Sequence, residues 1–241
     1  MPEKHPESLQ TEEFVQQSLR YVLKDQIDVA DETSYISEHS LLKAAAPTRI
    51  LDVGCGPGYV LKSVVDAFPG STGVGVEPSQ EAVRRLDEIH QSCGRLEFVV
   101  GAAHDLPFPT DSFDLVICWS VLHWIGRNEY LQSLGEVIRV TRRHLVVMDF
   151  AAARDYRTPY RYDERYFTYK ADFVAPILAS GVMSVADDLR WILTPDGVRH
   201  AIGRADLEPF LGKAANYTAR RATLFLKNYA LMPVQTESDF L

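Results

Sequence analysis

Cysteine is scarce in this chain of 241 residues: three in all, at positions 55, 93 and 118. An odd number at those spacings matches neither a disulfide framework nor a zinc site, so a reduced, cytoplasmic setting and no metal are expected. Long apolar runs are missing as well. No stretch approaches the roughly 18 residues that cross a bilayer. The opening Met-Pro-Glu-Lys-His-Pro-Glu lacks the apolar core of a secretory signal. Positive charge is in deficit, with 25 Lys and Arg against 33 Asp and Glu, a net charge of −8 and a pI near 5.4. That balance argues against a broad electrostatic grip on nucleic acid, though not against a local basic patch. There is no internal repeat and no low-complexity tract. What remains is 46% hydrophobic and 24% charged, the composition of one packed soluble domain or of one domain with an elaboration. The partner expected of it is a small molecule, with neither nucleic acid nor membrane. Its oligomeric state is not legible.

Apolar periodicity divides the chain into alternating elements. Residues 12–29 and 34–45 have helical spacing, and Pro47 stops the second helix. Strand 49–53, helix 58–67, strand 72–76, helix 79–91, strands 96–100 and 113–118, helix 128–140 and strand 143–149 follow. A helix over 171–180, a strand near 188–194, a helix over 205–215 and a strand over 221–229 complete the series. Such alternation predicts a doubly wound α/β fold with a parallel sheet, whose ligands sit at the carboxyl ends of the strands.

The most informative stretch is Ile50-Leu-Asp-Val-Gly-Cys-Gly-Pro-Gly58. It reads as an apolar strand ending in Asp52, then a turn with glycines at 54, 56 and 58. A dinucleotide fingerprint would need a further glycine at 59, where Tyr59 stands. About twenty residues on, Thr72-Gly-Val-Gly-Val-Glu77 is a second short apolar run ending in an acid. Leu106-Pro-Phe-Pro-Thr-Asp-Ser-Phe-Asp-Leu-Val-Ile-Cys118 is a proline-rich loop, a turn and a buried strand, and Trp-Ser-Val-Leu-His-Trp124 follows it. In this order the three motifs resemble the type 11 branch of the class I S-adenosylmethionine-dependent methyltransferases. Weaker similarity links Tyr169-Lys-Ala-Asp-Phe173 to methyltransferases of bacterial polysaccharide gene clusters. The resemblance implies a Rossmann-like, seven-stranded, mostly parallel sheet with an antiparallel last strand and an N-terminal helical cap. Residues 1–47 would be the cap and 48–241 the cofactor-binding core, with a lid inserted over 151–180 on the substrate side.

The resemblance also implies roles. S-adenosylmethionine would lie against the backbone of Gly54 and Gly56, with Cys55 and Gly58 completing the turn. Asp52 would hold its amino end and Glu77 its ribose hydroxyls. Pro78 would line the adenine, faced by Ala103, His104 and Asp105, with Cys118 and Trp119 closing the site. One departure stands out. Members of the branch commonly read Gly-Asp-Ala-Glu-x-Leu-Pro, and this chain reads Gly101-Ala-Ala-His-Asp-Leu-Pro107, so Ala102 replaces the acid that meets the adenine amino group. On the acceptor side, His123 is the candidate general base. Residues 154–170 hold five of the eleven tyrosines, four arginines and a net charge of +2. Within and beside that segment, Trp124, Tyr162, Arg165, Tyr166 and Lys170 are the candidate acceptor-binding residues, suited to a sugar ring or an anion. The reaction expected is O-methylation of a small polar acceptor such as a sugar or nucleotide-sugar hydroxyl. Carboxyl methylation of an acyl-carrier substrate or small acid is the alternative, and N- or C-methylation stays open. A non-catalytic binding protein of the same fold is an alternative of another class.

Overall fold

The computed structural model describes residues 30–152, 155–160, 163–193, 199–201 and 218–228. Strands β1 (Arg49–Val53), β2 (Thr72–Glu77), β3 (Leu96–Val100), β4 (Phe113–Trp119) and β5 (Thr141–Phe150) are parallel, in the order β3-β2-β1-β4-β5. Beside β5 lies β10 (Thr218–Lys227), antiparallel to it and to the next strand, β8 (Met183–Leu193). Strands β3 to β8 in sheet order form the predicted seven-stranded, mostly parallel sheet, with β10 reversed. A short β9 (Arg199–Ala201) adds an eighth strand at the edge.

The parity of the strands makes two cores. In β1, Ile50 packs on one face and Leu51 and Val53 on the other; in β4, Leu115 and Ile117 alternate with Val116 and Cys118. Helix α1 (Ala30–Ser37), α2 (Ser40–Ala45), α3 (Tyr59–Ala67) and α4 (Gln80–His90) supply Ile36, Leu42, Leu61 and Leu86 to the first core. Helix α5 (Arg127–Val140) and α6 (Val174–Ala179) supply Leu134, Val137 and Ile177 to the second. Apolar side chains on both faces are what a parallel sheet covered by helices requires. The Ser79 hydroxyl caps α4 by accepting from the Ala82 N–H at 3.2 Å.

The strand ends away from the site are tied by Asp114. Its carboxylate accepts from the Thr48 N–H at 3.1 Å, the Thr48 hydroxyl at 2.7 Å and the Arg49 N–H at 3.2 Å, and also binds Arg142. Burial alone would raise this carboxyl, but the bonds from Thr48 and Arg142 outweigh it and hold the group at about 2. Replacing Asp114 with Asn is expected to lower unfolding stability by about 1–3 kcal/mol, measured by urea denaturation at pH 7. The pH dependence has a definite sign. A depressed carboxyl stabilises above its unfolded value of 3.8 and loses that contribution as pH falls toward 2.

Several elements differ from those read in the sequence. The helix read over 34–45 is two, α1 and α2, with His39 between them capping α2 by accepting from the Leu41 N–H, and the strand read over 221–229 runs Thr218–Lys227. The Tyr/Arg segment, for which no element was read, is a two-stranded antiparallel ribbon, β6 (Tyr156–Tyr160) and β7 (Asp163–Lys170). Helix α6 therefore begins at Val174 and not at 171. Strand β8 begins at Met183 rather than near 188. Its acid Asp188 masked the strand, because Arg221 on β10 pairs with it at 2.5 Å across the ladder. The helices predicted over 12–29 and 205–215 lie outside the described residues. No helix among those described is long and apolar enough to cross a membrane.

Candidate active site

Asp52 and Glu77 end neighbouring strands β1 and β2. The turn after β1 folds over both. The Cys55 N–H donates to the Val76 carbonyl at 3.0 Å and the Gly58 N–H to the Cys55 carbonyl at 3.0 Å. Gly54 and Gly56 hold left-handed backbone, with φ of 66° and 51°. Their surroundings differ. A Cβ on Gly54 would lie 2.3 Å from the Val121 methyl, whereas one on Gly56 would meet nothing within 4 Å. The turn is latched from behind by His90 at the end of α4, whose Nε2 sits 2.8 Å from the Pro57 carbonyl oxygen.

Both acids are buried, and among the described residues neither carboxylate oxygen of Asp52 has a hydrogen-bond partner. A carboxylate without donors is costly inside a protein. Burial, reinforced by Glu77, pushes the Asp52 carboxyl up to about 8. Burial raises Glu77 to about 7, partly offset by a hydrogen bond from the Gly56 backbone. The site is therefore an electron-rich, donor-poor recess. It suits an occupant that brings a cation and hydroxyl donors.

The remaining residues expected at the cofactor lie at or just after the carboxyl ends of β2, β3 and β4. Pro78 follows Glu77 and is half-buried, as is His104. Ala103 is buried in a turn closed by the Asp105 N–H to Ala102 carbonyl bond at 3.0 Å. Gln132 of α5 fastens this loop by donating to the His104 carbonyl at 2.9 Å. The Asp105 residue is exposed. Cys55 and Cys118 are buried thiols pushed upward by burial and then by Asp52, so neither is a nucleophile. Trp119 is half-buried against Met148 and Ala222, together with Tyr35 of the cap.

The acceptor-side residues gather at the ends of β4 and β5. After β4 the chain forms a 3₁₀ turn, Leu122–Trp124, carrying His123. His123 is buried, and its Nδ1 lies 2.8 Å from Asp149 Oδ1. Asp149 also accepts from the His123 N–H at 3.2 Å and the Phe150 N–H at 2.7 Å. Burial would raise Asp149, but His123 and Arg220 outweigh it and keep it ionised. An ionised carboxylate only accepts, so it assigns the ring proton to Nδ1 and leaves Nε2 as the basic nitrogen. Burial lowers the imidazole below 6.5 against the pull of Asp149, so Nε2 is unprotonated at neutral pH.

Phe150 follows Asp149 and is ringed by nitrogen. The His123 ring stands edge-on at 4.7 Å, Lys170 Nζ lies 3.1 Å from the ring centroid, and the Arg220 guanidinium carbon lies at 4.8 Å. Arg220 also donates to the Ser120 hydroxyl and to Met148 Sδ. Trp124 stacks edge-on with Tyr160 of the ribbon at 4.8 Å. Tyr166, on β7 of that ribbon, is buried. Tyr162 lies outside the described residues, as does the side chain of Arg165. Asp149, Phe150 and Arg220 were not singled out in the sequence. Asp149 had a usable signal: it ends an apolar run, Leu145 to Met148, as Asp52 and Glu77 end theirs. Arg220 had none, being one of several arginines in a distant strand.

Three comparisons bear on this site. A sequence profile described as "Methyltransferase domain" matches residues 50–144. An O-methyltransferase of Aspergillus nomiae, rstn1, is 30% identical over 199 residues, spanning 80% of this chain and 83% of that protein. A malonyl-[acyl-carrier protein] O-methyltransferase of Legionella pneumophila is 34% identical over 98 residues, 41% of this chain and 32% of that protein. The chain spans about a third of the length of the first curated relatives it matches. Among solved structures, the 1,6-didemethyltoxoflavin-N1-methyltransferase of Burkholderia thailandensis, with 1,6-didemethyltoxoflavin and S-adenosylhomocysteine bound, superposes with a TM-score of 0.62. It is 15% identical, with 95% of this chain and 92% of that chain covered.

Proposed function

Because this chain belongs to the class I S-adenosylmethionine-dependent methyltransferases, we propose that it methylates an oxygen of a small polar acceptor, such as a sugar or nucleotide-sugar hydroxyl. Family membership rests on the relative from Aspergillus nomiae, aligned over most of both chains. The recess fits the cofactor on its own chemistry. S-adenosylmethionine carries an ammonium group and two ribose hydroxyls, and the recess offers two buried acids, one of them without any donor. The open space over Gly56 lets a ligand approach the backbone. In this reading Asp52 takes the ammonium group and Glu77 the ribose. Gly54, Cys55, Gly56 and Gly58 shape the turn. Pro78, Ala103, His104 and Asp105 line the adenine side, with Cys118 and Trp119 as the floor. The absent acid at Ala102 removes one charge-assisted hydrogen bond, worth about 1.5–3 kcal/mol, which weakens adenine binding without abolishing it.

When bound, S-adenosylmethionine supplies a methyl group on a sulfonium that departs as a neutral thioether. The chain's part is alignment, exclusion of water and management of one proton. His123 Nε2 accepts the acceptor hydroxyl proton as the oxygen–methyl bond forms, and Asp149 stabilises the imidazolium that results. The His123–Asp149 pair is the observation that carries the hydroxyl reading. Trp124, Tyr162, Arg165, Tyr166 and Lys170 would surround the acceptor, with 151–180 as its lid, 48–241 as the catalytic core and 1–47 as the cap. The net charge of −8 supports a small molecule over nucleic acid, and the free thiols support a cytoplasmic setting. Replacing His123 with Ala is expected to lower turnover at least about tenfold with cofactor affinity unchanged. In the wild type, turnover should fall on acidification only below pH 6.5, because the imidazole is lowered.

Lys170 and Arg220 favour a second reading, methylation of a carboxylate. An ionised acid is already a nucleophile and needs no base. Unaltered turnover in the His123 variant would remove the hydroxyl reading and leave this one.

A further inference from the structure

Lys170 sits at the end of the ribbon strand β7, 8% exposed. Among the described residues its ammonium makes no hydrogen bond; its contact is the face of Phe150, 3.1 Å from the centroid. Burying an ammonium group without an acceptor is among the costlier arrangements a protein tolerates. A second cation, Arg220 of β10, approaches the same ring at 4.8 Å. Two cations sharing one ring repel each other, and the ring's own attraction for each is modest. Asp149 is the acid that faces them, but it is already committed to the His123 ring and to two backbone N–H groups. Among the described residues, Lys170 is therefore left without an acceptor of its own, beside a second cation and an acid already in use. Its position is specific, since the His123 ring stands 4.7 Å from the same Phe150.

Resting on the hydroxyl reading of this site, we infer that Lys170 and Arg220 form an anion subsite over Phe150 and that the acceptor carries a carboxylate or phosphate near the hydroxyl presented to His123. The class is a uronic acid, a hydroxy acid or a sugar phosphate, rather than a neutral sugar. Several facts converge on it. Burial pushes the Lys170 ammonium down to about 7, with Arg220 adding to the effect and Asp149 opposing it, so an incoming anion supplies the missing counter-charge. Arg220 is braced by the Ser120 hydroxyl and Met148, which fixes one side of the guanidinium. Trp124 and Tyr160 stand beside the cluster as apolar faces for a ring.

The test has two arms. In the first, the full chain saturated with S-adenosylhomocysteine is titrated by calorimetry with inorganic phosphate and with malonate at constant ionic strength. The wild type is expected to bind one of them, and Lys170→Met and Arg220→Gln to bind it at least tenfold more weakly. Both variants should keep wild-type affinity for S-adenosylhomocysteine, which confirms folding. Binding of neither anion, or equal binding by the variants, overturns the subsite. Preference for phosphate points to a sugar phosphate, and preference for malonate to an acid. The second arm follows methyl transfer to D-glucose, D-glucuronate and glucose 6-phosphate. A tenfold or larger preference for an anionic member with an ether product supports the proposal. Equal transfer to glucose overturns the subsite and leaves the hydroxyl reading standing. Formation of a methyl ester overturns it as well, because the anion would then be the reacting group. Anion binding without transfer to any hydroxyl supports the subsite and counts against the hydroxyl reading alone.

Discussion

Replacing Asp52 with Asn is expected to abolish measurable S-adenosylmethionine binding and, above pH 7, to make the cofactor-free protein more stable. Both effects come from the same two oxygens. They are buried at the end of β1 without a donor, and they face Glu77 across the strand pair. The folded carboxyl titrates at about 8, against 3.8 in its ordinary state. A carboxyl raised by folding binds its proton more tightly in the native chain. The stability from that proton is fully present below about pH 4 and is lost as pH rises through about 8. Since the two acids share one recess and titrate as a pair, the recovery on neutralising one is on the order of 1–3 kcal/mol at pH 8. Thermal unfolding between pH 6 and pH 9 checks this. The wild-type midpoint should fall across that range, and the variant's should fall less. Calorimetry with S-adenosylmethionine then separates function from stability. A variant that bound the cofactor like the wild type would remove Asp52 from the site. An acid that destabilises the empty protein and is relieved by a cationic ligand is a functional group by its own energetics.

Gly54→Ala should cost far more than Gly56→Ala, although the two glycines are two residues apart with similar backbone. Each holds a positive φ, which costs an alanine about 1–2 kcal/mol. At Gly56 nothing further is met. At Gly54 the new Cβ lands 2.3 Å from the Val121 γ-methyl and 3.1 Å from its Cβ. Overpacking of this kind adds about 1–3 kcal/mol. The sum is a large part of the 5–15 kcal/mol that holds a typical domain together. The expected result is a poorly folded Gly54→Ala protein, partly restored by Val121→Ala, measured by denaturant unfolding. Gly56→Ala is expected to fold and to lose cofactor affinity instead. Equal stability of the two variants would contradict the contact with Val121.

The recess proposed to hold the cofactor was legible because it is local. Asp52, the glycine turn and Glu77 lie within 26 positions of one another, and each is announced by an apolar run that stops at an acid or a glycine. The acceptor half is assembled from far apart. His123 and Asp149 meet across 26 residues and Arg220 reaches Ser120 across 100, and no periodicity encodes either encounter. The Tyr/Arg segment was given no element, because its mixed charges and tyrosines follow neither a helical nor a strand period. In the fold, Thr158 and Thr168 bond across the ribbon at 3.1 Å, and Arg157 lies over Phe167. Lys170 is buried despite its type, which hydrophobic patterning cannot foresee. Strand β8 hid for a related reason, since its acid Asp188 is matched by Arg221 on a strand that follows much later.

The placement of β10 has a consequence for biosynthesis. It is the last of the described strands to be made, yet it fills an interior position between β5 and β8. While a ribosome is still short of residue 218, β5 is an open edge whose backbone groups have no neighbour on that side. Every residue of the cofactor recess has emerged by then, whereas Arg220 has not. If the proposed roles hold, a nascent chain would be able to take its cofactor before β10 exists, and the residue proposed to select the acceptor would arrive last, on the strand that closes the gap.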